Sequence, residues 1–93
     1  MEWQYKEGSI SALDENKQTV AEATYFFNKF GDMVIKRVFV AESQRGRGVA
    51  GQAMEEVVKY ARENGLKVRG SCSYAKHWLE KNAADNADIM PQD

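Results

Sequence analysis

The apolar positions of this chain change period midway. Short strand-like runs fill the first part, and a stripe with helical spacing follows. Tyr5 to Leu13 reads as a weakly patterned strand, and Asp14-Glu15-Asn16-Lys17 as a turn. Gln18 to Phe27, rich in Thr, Val, Tyr and Phe, reads as the second arm of a hairpin. Asn28-Lys29-Phe30-Gly31-Asp32 carries the next turn signal. Met33 to Ala41 is the strongest strand. Its Val34, Ile35, Val38, Phe39 and Val40 put apolar groups on both faces, the mark of a strand central in its sheet.

The spacing then predicts a helix over Val49 to Asn64. Val49, Ala53, Val57 and Ala61 recur every fourth residue beside Ala50, Met54 and Val58, while Glu55, Glu56, Lys59, Arg62 and Glu63 fill the opposite side. Asn64-Gly65 supplies the left-handed stop. Leu66 to Ser71 reads as a short strand. Ser71 or Ser73 then caps a second helix with the stripe Tyr74, Ala75, Trp78 and Leu79. From Asn82 onward the residues are polar, so about 83–93 is expected to be a loosely held tail. The expected fold is a single small α/β domain over 1–93 with the order β-β-β-α-β-α. Antiparallel hairpin strands accompany a parallel pair that flanks the first helix.

Composition narrows the function classes. With 43% hydrophobic and 11% aromatic residues the chain is an ordinary globular one. Thirteen basic and fourteen acidic residues leave a net charge of −1, which argues against a nucleic-acid backbone as partner. A single cysteine forms no internal disulfide and points to a reducing compartment. Met1-Glu2-Trp3-Gln4-Tyr5 has neither the basic nor the apolar part of a secretory signal. No run approaches ~18 apolar residues, so no membrane span is expected. The expected location is the cytoplasm.

The candidate chemistry sits between the strongest strand and the first helix. There Arg45-Gly46-Arg47-Gly48 opens directly into Val49-Ala50-Gly51. A helix start leaves backbone N–H groups without internal partners and carries partial positive charge. Glycines at 46 and 48 let a ligand approach that backbone, and Arg45 and Arg47 add charge, so the segment suits a phosphate or pyrophosphate. Ligands of open α/β sheets bind outside the C-terminal ends of parallel strands, which selects the same spot. The bland alternatives are a flexible loop and, for an Arg-Gly-Arg-Gly run, an RNA contact. Such RNA-binding runs come as repeats in disordered tails, whereas this one is single and embedded.

Arg45-Gly46-Arg47-Gly48-Val49-Ala50, in its strand-to-helix context, resembles the Arg/Gln-x-x-Gly-x-Gly/Ala hallmark of the Gcn5-related N-acetyltransferases. The resemblance is closest to the compact, YidJ-like subfamily and covers roughly Tyr5 to Asn82, including the turn Cys72-Ser73-Tyr74. It implies acetyl-CoA as cosubstrate and an amine, unidentified from the sequence, as acceptor. It also implies that the pyrophosphate rests on Arg45, Gly46, Arg47, Gly48, Val49, Ala50 and Gly51. The pantetheine arm would then pair with the backbone of Val38, Phe39 and Val40, with Ser73 on the same cofactor side. One position departs from the subfamily, which usually carries histidine then threonine where Arg37 and Val38 stand. An arginine stays charged at neutral pH and takes no proton, so the base role of that position does not carry over.

Candidate catalytic residues are Cys72, Arg37 and Tyr74. Cys72 sits where a strand gives way to a helix, a placement that suits a nucleophile; the alternative is a small packing residue. Tyr74 is either a proton donor to departing thiolate or part of an apolar stripe. His77 shares a polar face with Lys76, Glu80 and Lys81 and reads as solvated, and a lone histidine makes no metal site. Trp3 and Trp78 read as packing residues. Two functions from different classes remain: acetyl transfer to an amine, and non-catalytic binding or sensing of acyl-CoA. A nucleic-acid contact through Arg45 and Arg47 is the weaker third.

Overall fold

The computed structural model describes residues 1–91, and places five strands, two α-helices and two short 3-10 segments in one α/β sheet structure. The strands are β1 (Glu2–Lys6), β2 (Ser9–Leu13), β3 (Thr19–Phe27), β4 (Met33–Val40) and β5 (Val68–Gly70). Helix α1 spans Val49–Glu63 and α2 spans Ser73–Lys81. The sheet order is β1-β2-β3-β4-β5, antiparallel throughout except for the parallel pair β4–β5. The expected mixed α/β fold is therefore present, with one strand more than expected. Tyr5 to Leu13 is two strands, because Glu7-Gly8 forms a turn with Gly8 at φ +85° and Lys6 pairs back with Ser9.

Side-chain alternation gives the sheet two different faces. Ala12 and Ala21 are buried beside Trp3 and Val40, and Ile10 and Ala23 beside Val38; all lie on the side covered by the helices. Met54, Val57, Val58 and Ala61 of α1 and Ala75 and Leu79 of α2 complete that core. At the same strand levels the register places Gln4, Ser11, Glu22 and Phe39 in one cross-strand row of the opposite face. Lys6, Ser9, Thr24 and Arg37 form the next. No described helix packs on this second face; within these two rows only Phe39 is apolar, and farther along the face Phe26 pairs with Val34.

Two irregularities position the site. A bulge at Lys36 shifts the β3–β4 register, so Thr24 pairs with Arg37 while Tyr25 pairs with Ile35. Lys36 and Arg37 consequently both emerge exposed, although Ile35 and Val38 face the core side. At Gly70, an added Cβ would stand 2.6 Å from the Lys76 amide nitrogen and 2.8 Å from the Ala75 carbonyl carbon. Only glycine lets the start of α2 rest on β5.

The expected loose tail is corrected over its described part. Ala83–Ile89 form a 3-10 segment that buries Asn86 and Ile89 against the core. Arg62 of α1 binds both carboxylate oxygens of Asp88 from Nε and Nη2, and Lys67 Nζ donates to the Asp88 carbonyl at 2.6 Å. The last two positions of the expected tail lie outside the described residues.

Candidate acyl-donor site

Strand β4 is long where its parallel partner is short. β5 pairs only with Met33, Val34 and Ile35, whereas β3 follows β4 as far as Val40. The strand edge closes at Ile35, whose carbonyl accepts from Ser71 N–H at 2.9 Å and from Ser71 Oγ at 3.3 Å. Beyond it, no described strand lies beside the outer edge of β4. The Ala41 N–H bonds the Val20 carbonyl, so alternation turns the backbone groups of Phe39 and Arg37 toward β3. Those of Val38 and Val40 face outward. This is an extended edge ready to pair with an amide-bearing ligand.

The chain then passes through a 3-10 turn, Glu42–Gln44, and enters α1 through Gly46 and Gly48. Both glycines have left-handed backbones, φ +80° and +73°, and a Cβ at either would meet open space. Their need is thus conformational, and the space beside them stays free. Gly48 is the helix cap and no side chain caps the start. The first bond into the helix runs from Gln52 N–H to the Gly48 carbonyl, which leaves the N–H groups of Val49, Ala50 and Gly51 without an acceptor. No acidic residue lies in that first turn.

These features share one cleft of about 180 Å³, lined by Val40, Gln44, Arg45, Gly46, Gly48, Val49, Ala50, Gly51 and Tyr74. Arg45 reaches back along the strand edge, donating from Nε to the Val40 carbonyl at 3.1 Å. Helix α2 lies close to Gly51, where a Cβ would stand at ordinary contact distance, 3.8 Å from Trp78 Nε1 and 4.0 Å from Tyr74 Oη. Trp78, read from sequence as packing alone, thus also places a polar donor near the cleft. Tyr74 lines the cleft and is not core; partial burial pushes its hydroxyl pKa up, so it stays protonated at neutral pH.

The remaining sequence candidates fall elsewhere. Arg47 is exposed and does not line the cleft. Ser73 is the exposed first residue of α2, and neither it nor Ser71 caps that helix. Cys72 is the cap, its Sγ accepting from Ala75 N–H at 3.4 Å while the thiol stays half-buried against the core. A cysteine cap was not foreseen from the sequence, because serine on either side is the commoner choice. Arg37 extends over the helix-free face with its guanidinium carbon 5.8 Å from the centre of the Phe39 ring. Val38 and Phe39 do not line the cleft itself, and His77 is exposed on α2. Among the described residues no cluster of three or more His, Cys, Asp or Glu side chains is gathered, and no helix is long and apolar enough to cross a membrane.

Comparison with known proteins bears on the same geometry. The sequence profile of the family described as GCN5-related N-acetyl-transferase matches residues 10–89. A GCN5-like protein of Staphylococcus aureus, solved in solution by NMR, is 36% identical with a TM-score of 0.76, covering 97% of this chain and 87% of its own. A nourseothricin acetyltransferase shares the fold at a TM-score of 0.58 and 18% identity, over 78% of this chain and 46% of its own. A GNAT-family acetyltransferase from Staphylococcus aureus MU50 does so at 0.65 and 13%, over 90% and 60%. This chain therefore spans about half the length of those two larger proteins. Among curated proteins, none matches the chain.

Proposed function

This chain belongs to the GCN5-related N-acetyltransferases, and from that premise we propose that it binds acetyl-CoA and transfers the acetyl group to an amine. The observation that carries the reading is one cleft in which the uncapped start of α1 meets the unpaired edge of β4. The residues present fit such a donor. Unbonded N–H groups at Val49 to Gly51 and the Arg45 guanidinium suit a pyrophosphate, and no carboxylate lines the cleft. The outward backbone groups of Val38 and the Val40 N–H suit the amides of the pantetheine arm, the Val40 carbonyl being held by Arg45 Nε, and Arg47 adds a screened charge outside. The narrower assignment to the compact subfamily, and a cytoplasmic setting, belong to this proposal.

The acyl donor supplies an activated thioester. The acceptor nitrogen forms a bond to its carbonyl carbon as the carbon–sulfur bond breaks. A backbone N–H near Val40 steadies the oxygen on which charge develops. The amine proton leaves to water, because Arg37 is permanently charged and is no base. Tyr74, protonated and at the cleft wall, returns a proton to the departing sulfur. A relay through acetyl-Cys72 is the second route, favoured by the placement of its Sγ at the start of α2. Arg37 in place of a base favours the second reading, a non-catalytic acyl-CoA module. Calorimetric titration with acetyl-CoA, followed by free-thiol release over an amine panel, separates these readings. Saturable binding with amine-dependent release supports transfer, binding without release selects the non-catalytic module, and no binding overturns both.

A further inference from the structure

The acetyl-donor reading leaves open from which side an acceptor arrives and what it carries. On one side of the open β4 edge lie α1, α2 and the core they share with the sheet. An acceptor that reaches a thioester held at Val38 to Val40 must therefore approach over the helix-free face. Arg37 stands on that face, one residue before Val38, exposed by the Lys36 bulge. Its guanidinium leans over the Phe39 ring, and among the described residues no carboxylate lies within salt-bridge distance of it. Thr24 is its cross-strand neighbour, with a hydroxyl on the same face. Glu22, half-buried and paired with Phe39, stands diagonally from it. The surface thus presents a cation leaning over one aromatic ring and an anionic residue across from that ring on β3.

Resting on that acetyl-donor reading, we infer that the helix-free face is the acceptor platform and that Arg37 selects amines that also carry a carboxylate. A guanidinium binds a carboxylate through two parallel N–H bonds, a geometry that a carboxamide cannot match. Glu22 accepts from the amino group of the same molecule and orients it. The same fixed charge at Arg37 repels acceptors that are purely cationic, such as polyamines.

The test pairs several free amino acids with their own carboxamides as acceptors, and reads thiol release together with amide chemical-shift changes in CoA-loaded protein. The carboxylate form should be preferred by about tenfold or more in kcat/KM, the worth of one charge-assisted contact. Its addition should shift the amides of Thr24, Arg37 and Phe39. Arg37→Gln should bring the ratio close to one, mainly through KM. Lys6→Gln, which removes a charge at the far end of the same cross-strand row, should leave the ratio in place. Equal use of both acceptor forms, or a ratio that survives Arg37→Gln, overturns the inference. If CoA fails to bind or no acceptor is turned over, the donor or transfer reading falls, and the shift map, recorded on the free protein in the first case, still decides the platform. Carboxylate-specific shifts around Arg37 support it, and none refute it.

Discussion

Two helices begin at the same end of this sheet, after the parallel strands β4 and β5, and they begin in opposite ways. Helix α2 starts at Cys72 in extended conformation, with its Sγ accepting from Ala75 N–H and its carbonyl accepting from Lys76 N–H. Helix α1 starts at a left-handed glycine, without a side-chain cap, next to Arg45 and Arg47. Every helix start presents the same surplus of donors. At α2 the chain uses one of them itself and packs the turn on Gly70; at α1 it leaves them facing an open cleft. On the proposed donor reading, α1 is the start that takes an anion, and α2 is the one that holds the wall in place.

Breaking the packed start should have the largest effect. Gly70→Ala drives a methyl into the α2 backbone, so stability should fall by roughly 3 kcal/mol or more in thermal or denaturant unfolding. Next comes the open start. Gly48→Glu puts a carboxylate beside free N–H groups, and CoA affinity should drop by about a hundredfold or more in calorimetry. Gly48→Ala separates charge from strain. Its methyl meets open space at φ +73°, so it should cost about 1 kcal/mol of stability and leave affinity within a few-fold. Cys72→Ala removes the α2 cap and should cost about 1 kcal/mol with CoA affinity kept, whereas Cys72→Ser should restore most of that stability. If Cys72 carries the acetyl group, both substitutions also abolish a hydroxylamine-sensitive acetyl adduct.

A smaller, pH-dependent effect lies away from both starts. The Tyr5 hydroxyl donates to the Glu56 carboxylate, and that bond, with partial burial, pushes its pKa up to about 12. The protonated form is favoured by folding, so the contribution is whole below the unfolded value of about 10 and is lost as pH rises toward 12. Tyr5→Phe should flatten the decline in stability across that window in denaturant unfolding. With Tyr5 largely exposed, the effect is small.

What was legible in the sequence follows the range of the interactions involved. The α1 stripe, its Asn64-Gly65 stop and the glycine-rich entry are local signals, and the helix runs over Val49–Glu63 within a residue of expectation. The parallel pair followed from the strand–helix–strand order. The β1–β2 turn was also local, and Glu7-Gly8 between two short runs was a signal passed over. The tail misled because its polar residues are satisfied from far away. Asp88 meets Arg62, and Ile89 is an isolated apolar residue whose burial only the fold reveals. The bulge at Lys36, which decides that Arg37 faces away from the helices, likewise arises between strands. In the sequence Tyr74 reads equally as a site residue or as core; only the approach of α2 to Gly51 places it at the cleft wall.

The most direct test of the contrast between the two helix starts is an amide-resolved NMR titration of the wild-type protein with CoA. The account predicts the largest shifts at the N–H groups of Gly46 to Gly51, with saturation matching the calorimetric affinity, and much smaller ones at Ala75 and Lys76. Largest shifts at Ala75 and Lys76, or an unmoved Val49 to Gly51 at saturating CoA, would contradict it.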